Sequence, residues 1–275
     1  MRRGGRGPVT APAWEVHPGT GPYLLLVHGF LSSRAQWAPN LALLGEVCRP
    51  VTLELLGHGR SPAPDQDVPY KPEGYMAAME AIRAELGAES WFVCGYSLGG
   101  ALTIRYALTY PQRVLGQVFT NSMSAFADAV QMKQWSESGP QSGDAIERGG
   151  MPAIERIPVH PKHARRLPAD VRDALLRDTK LLDPRGVANT IRHTTPEASV
   201  RADIGTNRVP ALLACGRFEK RFVPHRRFAE AHMPRLRVVE MDAGHGVNMQ
   251  DAARFNSAVA EFITTHANGA DPTPV

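Results

Sequence analysis

The run Gly95-Tyr96-Ser97-Leu98-Gly99-Gly100 sets a serine between glycines, after a short apolar stretch and before a helical one. A serine hydroxyl is a weak nucleophile until a neighbouring base takes its proton. On a sharp strand-to-helix turn it is lifted above the sheet at a helix N-terminus, and glycines at 95 and 99 let adjacent backbones come close. The pattern predicts a nucleophile elbow at Ser97; the competing reading is a turn serine without chemistry. Other reactive residue types show no such order. Cys48, Cys94 and Cys215 are odd in number and far apart, without the close spacing of metal ligands. They read as reduced, which points to a cytoplasmic setting, and Cys94 and Cys215, at strand ends, read as small core residues. His160-Pro161-Lys162-His163-Ala164-Arg165-Arg166 is a basic stretch that reads as a solvated face, with an anion site as the alternative.

Such a turn needs strands and helices to hold it. Short apolar runs at Tyr23 to Val27, Val51 to Leu55, Trp91 to Cys94, Gln117 to Thr120, Ala211 to Cys215 and Arg237 to Met241 read as strands. Their near-continuous apolar character implies burial on both faces, as in a parallel sheet. Helices are expected over Ser33 to Leu44, Pro72 to Leu86, Leu98 to Thr109 and Asp251 to Thr265. In the last of these, Phe255, Val259, Phe262 and Ile263 share one face. Alternating strand and helix predicts an α/β fold. From Asn121 to Pro210 no strand is legible, far more chain than a parallel crossover needs. Amphipathic pieces near Ala125 to Trp135, Ala169 to Leu181 and Pro184 to His193 make this stretch read as a helical insertion over the sheet.

Composition sets the outer limits. The 275 residues are 43% hydrophobic and 21% charged, a globular balance in which one core with an insertion suffices. No run of 18 apolar residues is present, so no membrane span is expected. The formal charge is +4, and Arg2, Arg3 and Arg6 supply three of those charges. The remainder is nearly neutral, unlike a nucleic-acid binder. The basic start has no apolar segment behind it and reads as a flexible leader rather than a secretory signal.

Taken with its neighbours, the elbow resembles that of the α/β-hydrolase family. His28-Gly29-Phe30 follows the first strand as that family's oxyanion loop does, and Trp37 follows at a similar distance. Leu56-Gly57-His58-Gly59-Arg60-Ser61 resembles its glycine-rich turn after the next strand. Gly244-His245-Gly246 follows the last strand, where the family keeps a catalytic histidine. The resemblance runs from about Trp14 to His266. It implies an α/β-hydrolase fold, a mostly parallel sheet flanked by helices with a helical cap inserted between strands. The corresponding organisation is a tail at 1–12, a core at 13–120 and 208–268, a cap at 121–207 and a tail at 269–275.

The resemblance also implies a mechanism. Ser97 is the nucleophile, His245 the base, and the backbone N–H groups of Phe30 and Leu98 form the oxyanion hole. The family order of serine, acid, histidine asks for a carboxylate after the strand ending at Cys215. Glu219 stands where relatives carry aspartate. The alternatives are that Glu219 pairs with Arg217 or Arg221 on the surface, and that Asp242 is the acid. The segment Thr120-Asn121-Ser122, where some relatives place the acid, holds no carboxylate. Tyr96, Met123, Phe126 and Trp135 are candidate substrate contacts, although a Met and aromatic stripe also suits packing. His28 and His58 read as loop-holding histidines.

The implied activity is hydrolysis of a carboxylic ester or related acyl bond of a small molecule. No cofactor, nucleic acid or membrane is involved, and the chain acts as a monomer or homodimer. Three alternatives stay open. Carbon–carbon bond hydrolases share the triad and cap but carry Gly-Asn-Ser at the elbow, where Tyr96 stands here. The menaquinone-pathway synthase has a similar elbow and acid segment, but follows the elbow with an arginine for its carboxylated substrate, where Ala101 stands. The third is a small-molecule receptor or scaffold on the same fold.

Overall fold

The structure, a computed structural model, describes residues 11–267. The expected tails at 1–12 and 269–275 lie outside the described residues apart from Ala11 and Pro12. Seven strands form one sheet: β1 (Trp14–Val16), β2 (Tyr23–Val27), β3 (Arg49–Leu53), β4 (Trp91–Gly95), β5 (Val114–Phe119), β6 (Ala211–Gly216) and β7 (Leu236–Met241). Their spatial order is β1-β3-β2-β4-β5-β6-β7. Every pairing is parallel except β1 with β3. The order reverses beside β2 and β4, the crevice where open α/β sheets place their ligands.

Alternation along β2 divides its side chains between the two faces of the sheet. Leu25 and Val27 pack with Tyr75, Met79, Ile104 and Tyr106, under helices α2 (Pro72–Glu85) and α3 (Leu98–Thr109). Leu24 and Leu26 pack with Trp37, Phe255, Val259 and Phe262, from the segment around α1 (Ala38–Leu44) and from α9 (Ala252–His266). The predicted stripe of α9 is the buried one, and Phe262 meets Phe92 edge-on at 6.3 Å. Cys48, Cys94 and Cys215 are buried and unpaired.

The differences from expectation have local causes. β1 spans three half-buried residues, too few for an alternation to show. Beyond β3 apolar residues resume after Glu54 at Leu55 and Leu56, but the strand does not. The Glu54 N–H turns to Ala13 O and that of Leu55 to the His28 ring, so hydrophobicity overran the strand end by two residues. The region expected as one helix from Ser33 is a 3-10 turn, Arg34–Trp37, followed by α1 with its proline in the first turn.

Between β5 and β6 lie α4 (Ala129–Glu155), α5 (Ala169–Thr179) and α6 (Pro184–Asn189), the last running into a π-helical turn over Thr190–Thr194. α4 is much longer than its sequence promised. Gly139, Pro140 and Gly143 look like breakers, yet the two glycines are buried close against Ile191 and Arg192 of the π turn, where a side chain would be crowded. Tertiary contact overrides propensity there. α4 kinks at Gly150, whose φ of 55° suits only glycine comfortably. Ile146, Ile154, Leu182, Val187 and Ala188 give this region its own apolar cluster, which reaches Leu31 in the loop after β2. Among the described residues no helix is long and apolar enough to cross a membrane. Helices α7 (Val223–His232) and α8 (Val247–Gln250) complete the chain.

Candidate functional site

Ser97 ends the turn from β4 into α3 with φ 53° and ψ −116°, a left-handed backbone that a non-glycine residue adopts only under strain. The surroundings hold it there. Its N–H donates to Thr120 Oγ1 at 3.3 Å, and its carbonyl accepts from Ser122 Oγ at 2.6 Å. A Cβ at Gly99 would strike the carbonyl oxygens of Val27 and His28, and one at Gly95 would strike the backbone of α3. Both elbow glycines are therefore required by close approach, as their spacing predicted.

The N–H groups of Phe30 and Leu98 have no intramolecular acceptor among the described residues. Leu98 opens α3, where the helix dipole favours negative charge. Phe30 sits in a loop braced by two buried histidines. His28 Nδ1–H donates to Gly29 O at 2.8 Å, and its Nε2 accepts from the Leu55 N–H at 3.0 Å. His58 Nδ1–H donates to Leu56 O at 2.9 Å, and its Nε2 accepts from the Leu31 N–H at 3.2 Å. Leu31 itself has φ 57°. Burial pushes His28 down to about 4; burial and then the neighbouring His28 push His58 down to about 3. Both rings are neutral loop braces, as the sequence suggested.

His245, in the loop after β7, donates from Nδ1 to Glu219 Oε2 at 2.8 Å. With that proton on Nδ1, Nε2 is the basic nitrogen. The Tyr96 ring meets the imidazole edge-on at 5.2 Å. Glu219 is held by a second donor, Asn121 Nδ2, at 2.7 Å. Burial raises its carboxyl, but the His245 hydrogen bond and charge, then Asn121 and Arg221, outweigh it and hold the group below the usual carboxylate range. Neither arginine forms an ion pair with Glu219: Arg217 is taken by Asp242, Nε to Oδ1 at 2.9 Å. That pair is half exposed, whereas the Glu219 side chain is 14% exposed. The structure thus brings His245 to Glu219 and leaves Asp242 facing solvent.

Ser97, His245 and Glu219 share one cavity of about 650 Å³ with Phe30 and Leu98, within the range typical of small-molecule sites. Tyr96, Met123 and Trp135 line it as anticipated. Phe126 does not. It is fully buried between Phe119 and Phe228, so its assignment as a substrate contact is corrected to core packing. Met123 before it and Trp135 after it face the cavity, whereas Phe126 turns into the core between them.

Two features differ from the sequence reading. The basic stretch is mixed: His163, Arg165 and Arg166 are exposed, as a solvated face would be, whereas His160 is buried, and all four line the cavity. Arg221 lines it as well, and among the described residues Glu219 is the single carboxylate side chain there. Lys162 is diverted to Glu155 at 3.2 Å. Asn121 lies in the segment Thr120-Asn121-Ser122, which holds no carboxylate and so carries no acid signature. Its position just after a buried strand was the available signal.

Comparison with known proteins agrees with this architecture. The family model for the alpha/beta hydrolase fold matches residues 22–145. A Bacillus subtilis (strain 168) protein described as a candidate 2-succinyl-6-hydroxy-2,4-cyclohexadiene-1-carboxylate synthase is 26% identical over 259 residues, covering 90% of this chain and 92% of that protein. MenH from S. aureus superposes with a TM-score of 0.81 at 16% identity, over 92% of this chain and 98% of its own. A thermophilic esterase from Thermogutta terrifontis gives a TM-score of 0.75 at 23% identity, over 93% and 94%.

Proposed function

We propose, for a chain that has the α/β-hydrolase fold, serine-dependent hydrolysis of a carboxylic ester or related acyl bond of a small molecule. One observation carries this reading: His245, bound through Nδ1 to the Glu219 carboxylate, shares a cavity with the strained elbow serine. Ser97 Oγ attacks the acyl carbon while His245 Nε2 takes its proton. Glu219 holds the ring in that tautomer and stabilises the imidazolium. The oxyanion is received by the N–H groups of Phe30 and Leu98. The leaving alcohol takes the proton from His245, and water then cleaves the acyl-enzyme by the same route. Segment 121–207 acts as the cap that closes the cavity over the elbow and sets acyl preference.

A second reading, the synthase chemistry of the Bacillus subtilis relative, is favoured by the full-length match and by the cavity's charge. Three guanidiniums, Arg165, Arg166 and Arg221, face a cavity whose one carboxylate is already engaged. That suits a carboxylated substrate. Ala101, buried in α3, stands where the synthase resemblance calls for an arginine, so the anion would have to be held from the other walls.

A substrate panel tests the readings, with Ser97→Ala as control. It spans p-nitrophenyl esters of short, long and ω-carboxylated acids, thioesters and lactones. A parallel assay follows formation of 2-succinyl-6-hydroxy-2,4-cyclohexadiene-1-carboxylate. Serine-dependent turnover of esters supports the hydrolase. Turnover confined to the second assay replaces it with the synthase. Tight ligand binding without turnover in either would favour a receptor.

A further inference from the structure

Asn121 is fully buried, and its amide is fixed in one orientation. Its Oδ1 accepts from the Gly216 N–H at 3.1 Å. Its Nδ2 donates to Glu219 Oε2 at 2.7 Å and to Gly244 O at 3.3 Å. Flipping the amide would set oxygen against a carboxylate and a carbonyl, and nitrogen against a backbone N–H. All three contacts would fail, so the assignment follows from the partners. The three partners lie at the ends of two different strands. Gly216 closes β6 and Glu219 stands in the loop after it, and Gly244 precedes His245 in the loop after β7. A single side chain at the end of β5 therefore ties the acid loop to the histidine loop and supplies the carboxylate with its second donor.

We propose that Asn121 is the positioning residue of this site: through Glu219 it keeps the acid ionised and aimed at His245 Nδ1. The proposal rests on the reading of Glu219 as the partner of a catalytic His245. Asn121 touches neither substrate nor reacting atoms in this role. The charged and titratable groups around Glu219 are His245, Arg221 and Tyr96, and none of these takes over the donor that Asn121 provides. In the dry interior a lost donor to a charged group is expensive, so replacing Asn121 acts on the carboxylate before it acts on the fold.

Asn121→Asp is the discriminating variant. It is isosteric, retains an acceptor for the Gly216 N–H, and sets a second carboxyl against Glu219. Two carboxylates sharing a site cannot both ionise freely, so the Glu219 carboxyl rises. The first readout needs no substrate. The low-field proton resonance of His245 Nδ1–H, identified by its loss in Glu219→Gln, is expected to shift or broaden in Asn121→Asp and in Asn121→Ala. Its dependence on acid should begin about one pH unit or more higher in the Asp variant. The second readout is kinetic, on any substrate from the panel. kcat is expected to fall by up to about 10²-fold, the scale of a misplaced catalytic group, with KM little changed and the acidic limb moved up in pH. Should Asn121→Asp not fold, Asn121→Ala and Asn121→Thr carry the same measurements. Variants that lose thermal stability while keeping the wild-type resonance, pH limb and kcat would overturn the proposal and leave Asn121 a structural residue only. If the wild type turns over nothing in the panel, the functional reading fails, while the resonance still decides the role of Asn121.

Discussion

Three histidines sit in glycine-containing loops at the C-terminal ends of strands, and the structure treats them in two ways. His28 and His58, after β2 and β3, give both ring nitrogens to backbone groups and are sealed from solvent. His245, after β7, gives one nitrogen to a carboxylate and stays 32% exposed on the cavity wall. A carbonyl and an N–H together fix a neutral ring and leave it nothing to exchange. A carboxylate fixes one nitrogen and can stabilise the charge that appears when the other takes a proton. Partner type, rather than residue type or loop composition, separates a sealed brace from a ring free to take up a proton.

The sharpest way to test that division is at the serine beside His245. Ser97→Ala is expected to lower kcat by on the order of 10⁶ on any ester the wild type hydrolyses. Fluorophosphonate labelling should vanish while the melting temperature holds. A folded Ala variant that remains active would remove the chemistry from this loop altogether. Next in size is the acid. Glu219→Gln should cost about 10⁴ in kcat, the scale for presenting an amide to a catalytic imidazole. Glu219→Asp should be milder but not neutral, because the shorter side chain withdraws from both His245 and Asn121.

The braces are expected to answer in stability. Their folded values, about 4 for His28 and about 3 for His58, lie below the ordinary 6.5. Below pH 6.5 the unfolded chain takes up protons that the folded chain refuses. The neutral rings therefore stabilise the fold fully above that pH, and the contribution drains away as pH falls toward about 3. At pH 5 the loss is on the order of 2 kcal/mol per histidine. Urea unfolding at pH 7 and pH 5 reads this. His58→Gln should be less stable at pH 7, by about 1–3 kcal/mol for the buried groups it strands, yet lose less on going to pH 5. A variant with the wild-type pH slope would show that His58 is not one of the titrating groups. Smallest of all, Asp242→Asn should leave kcat within about threefold, since it breaks only an exposed pair with Arg217, worth about 0–1 kcal/mol. A crippled Asp242→Asn beside an intact Glu219→Gln would show that Asp242 is the acid.

Much of this molecule was legible before any coordinates. The elbow, the buried face of α9 and the order of strands and helices depend on neighbours one to eight residues apart, which periodicity and turn chemistry record directly. The loop braces were legible too, through glycines and histidines set just after strands. The decisions left to tertiary structure were choices of partner across long separations. Whether Glu219 or Asp242 reaches His245 depends on where two loops land: Glu219 lands within hydrogen-bond reach of the ring, while Asp242 faces solvent beside Arg217. Asn121 finds partners 95, 98 and 123 residues away. α4 runs unbroken through Gly139, Pro140 and Gly143, where Ile191 and Arg192 lie against it, but breaks at Gly150, and Phe126 leaves the apolar stripe to fill the core between Phe119 and Phe228. Local pattern states what a segment can form. Which side chain it meets is decided by how the close-packed layers come together, because a buried group keeps only the partners within hydrogen-bond reach.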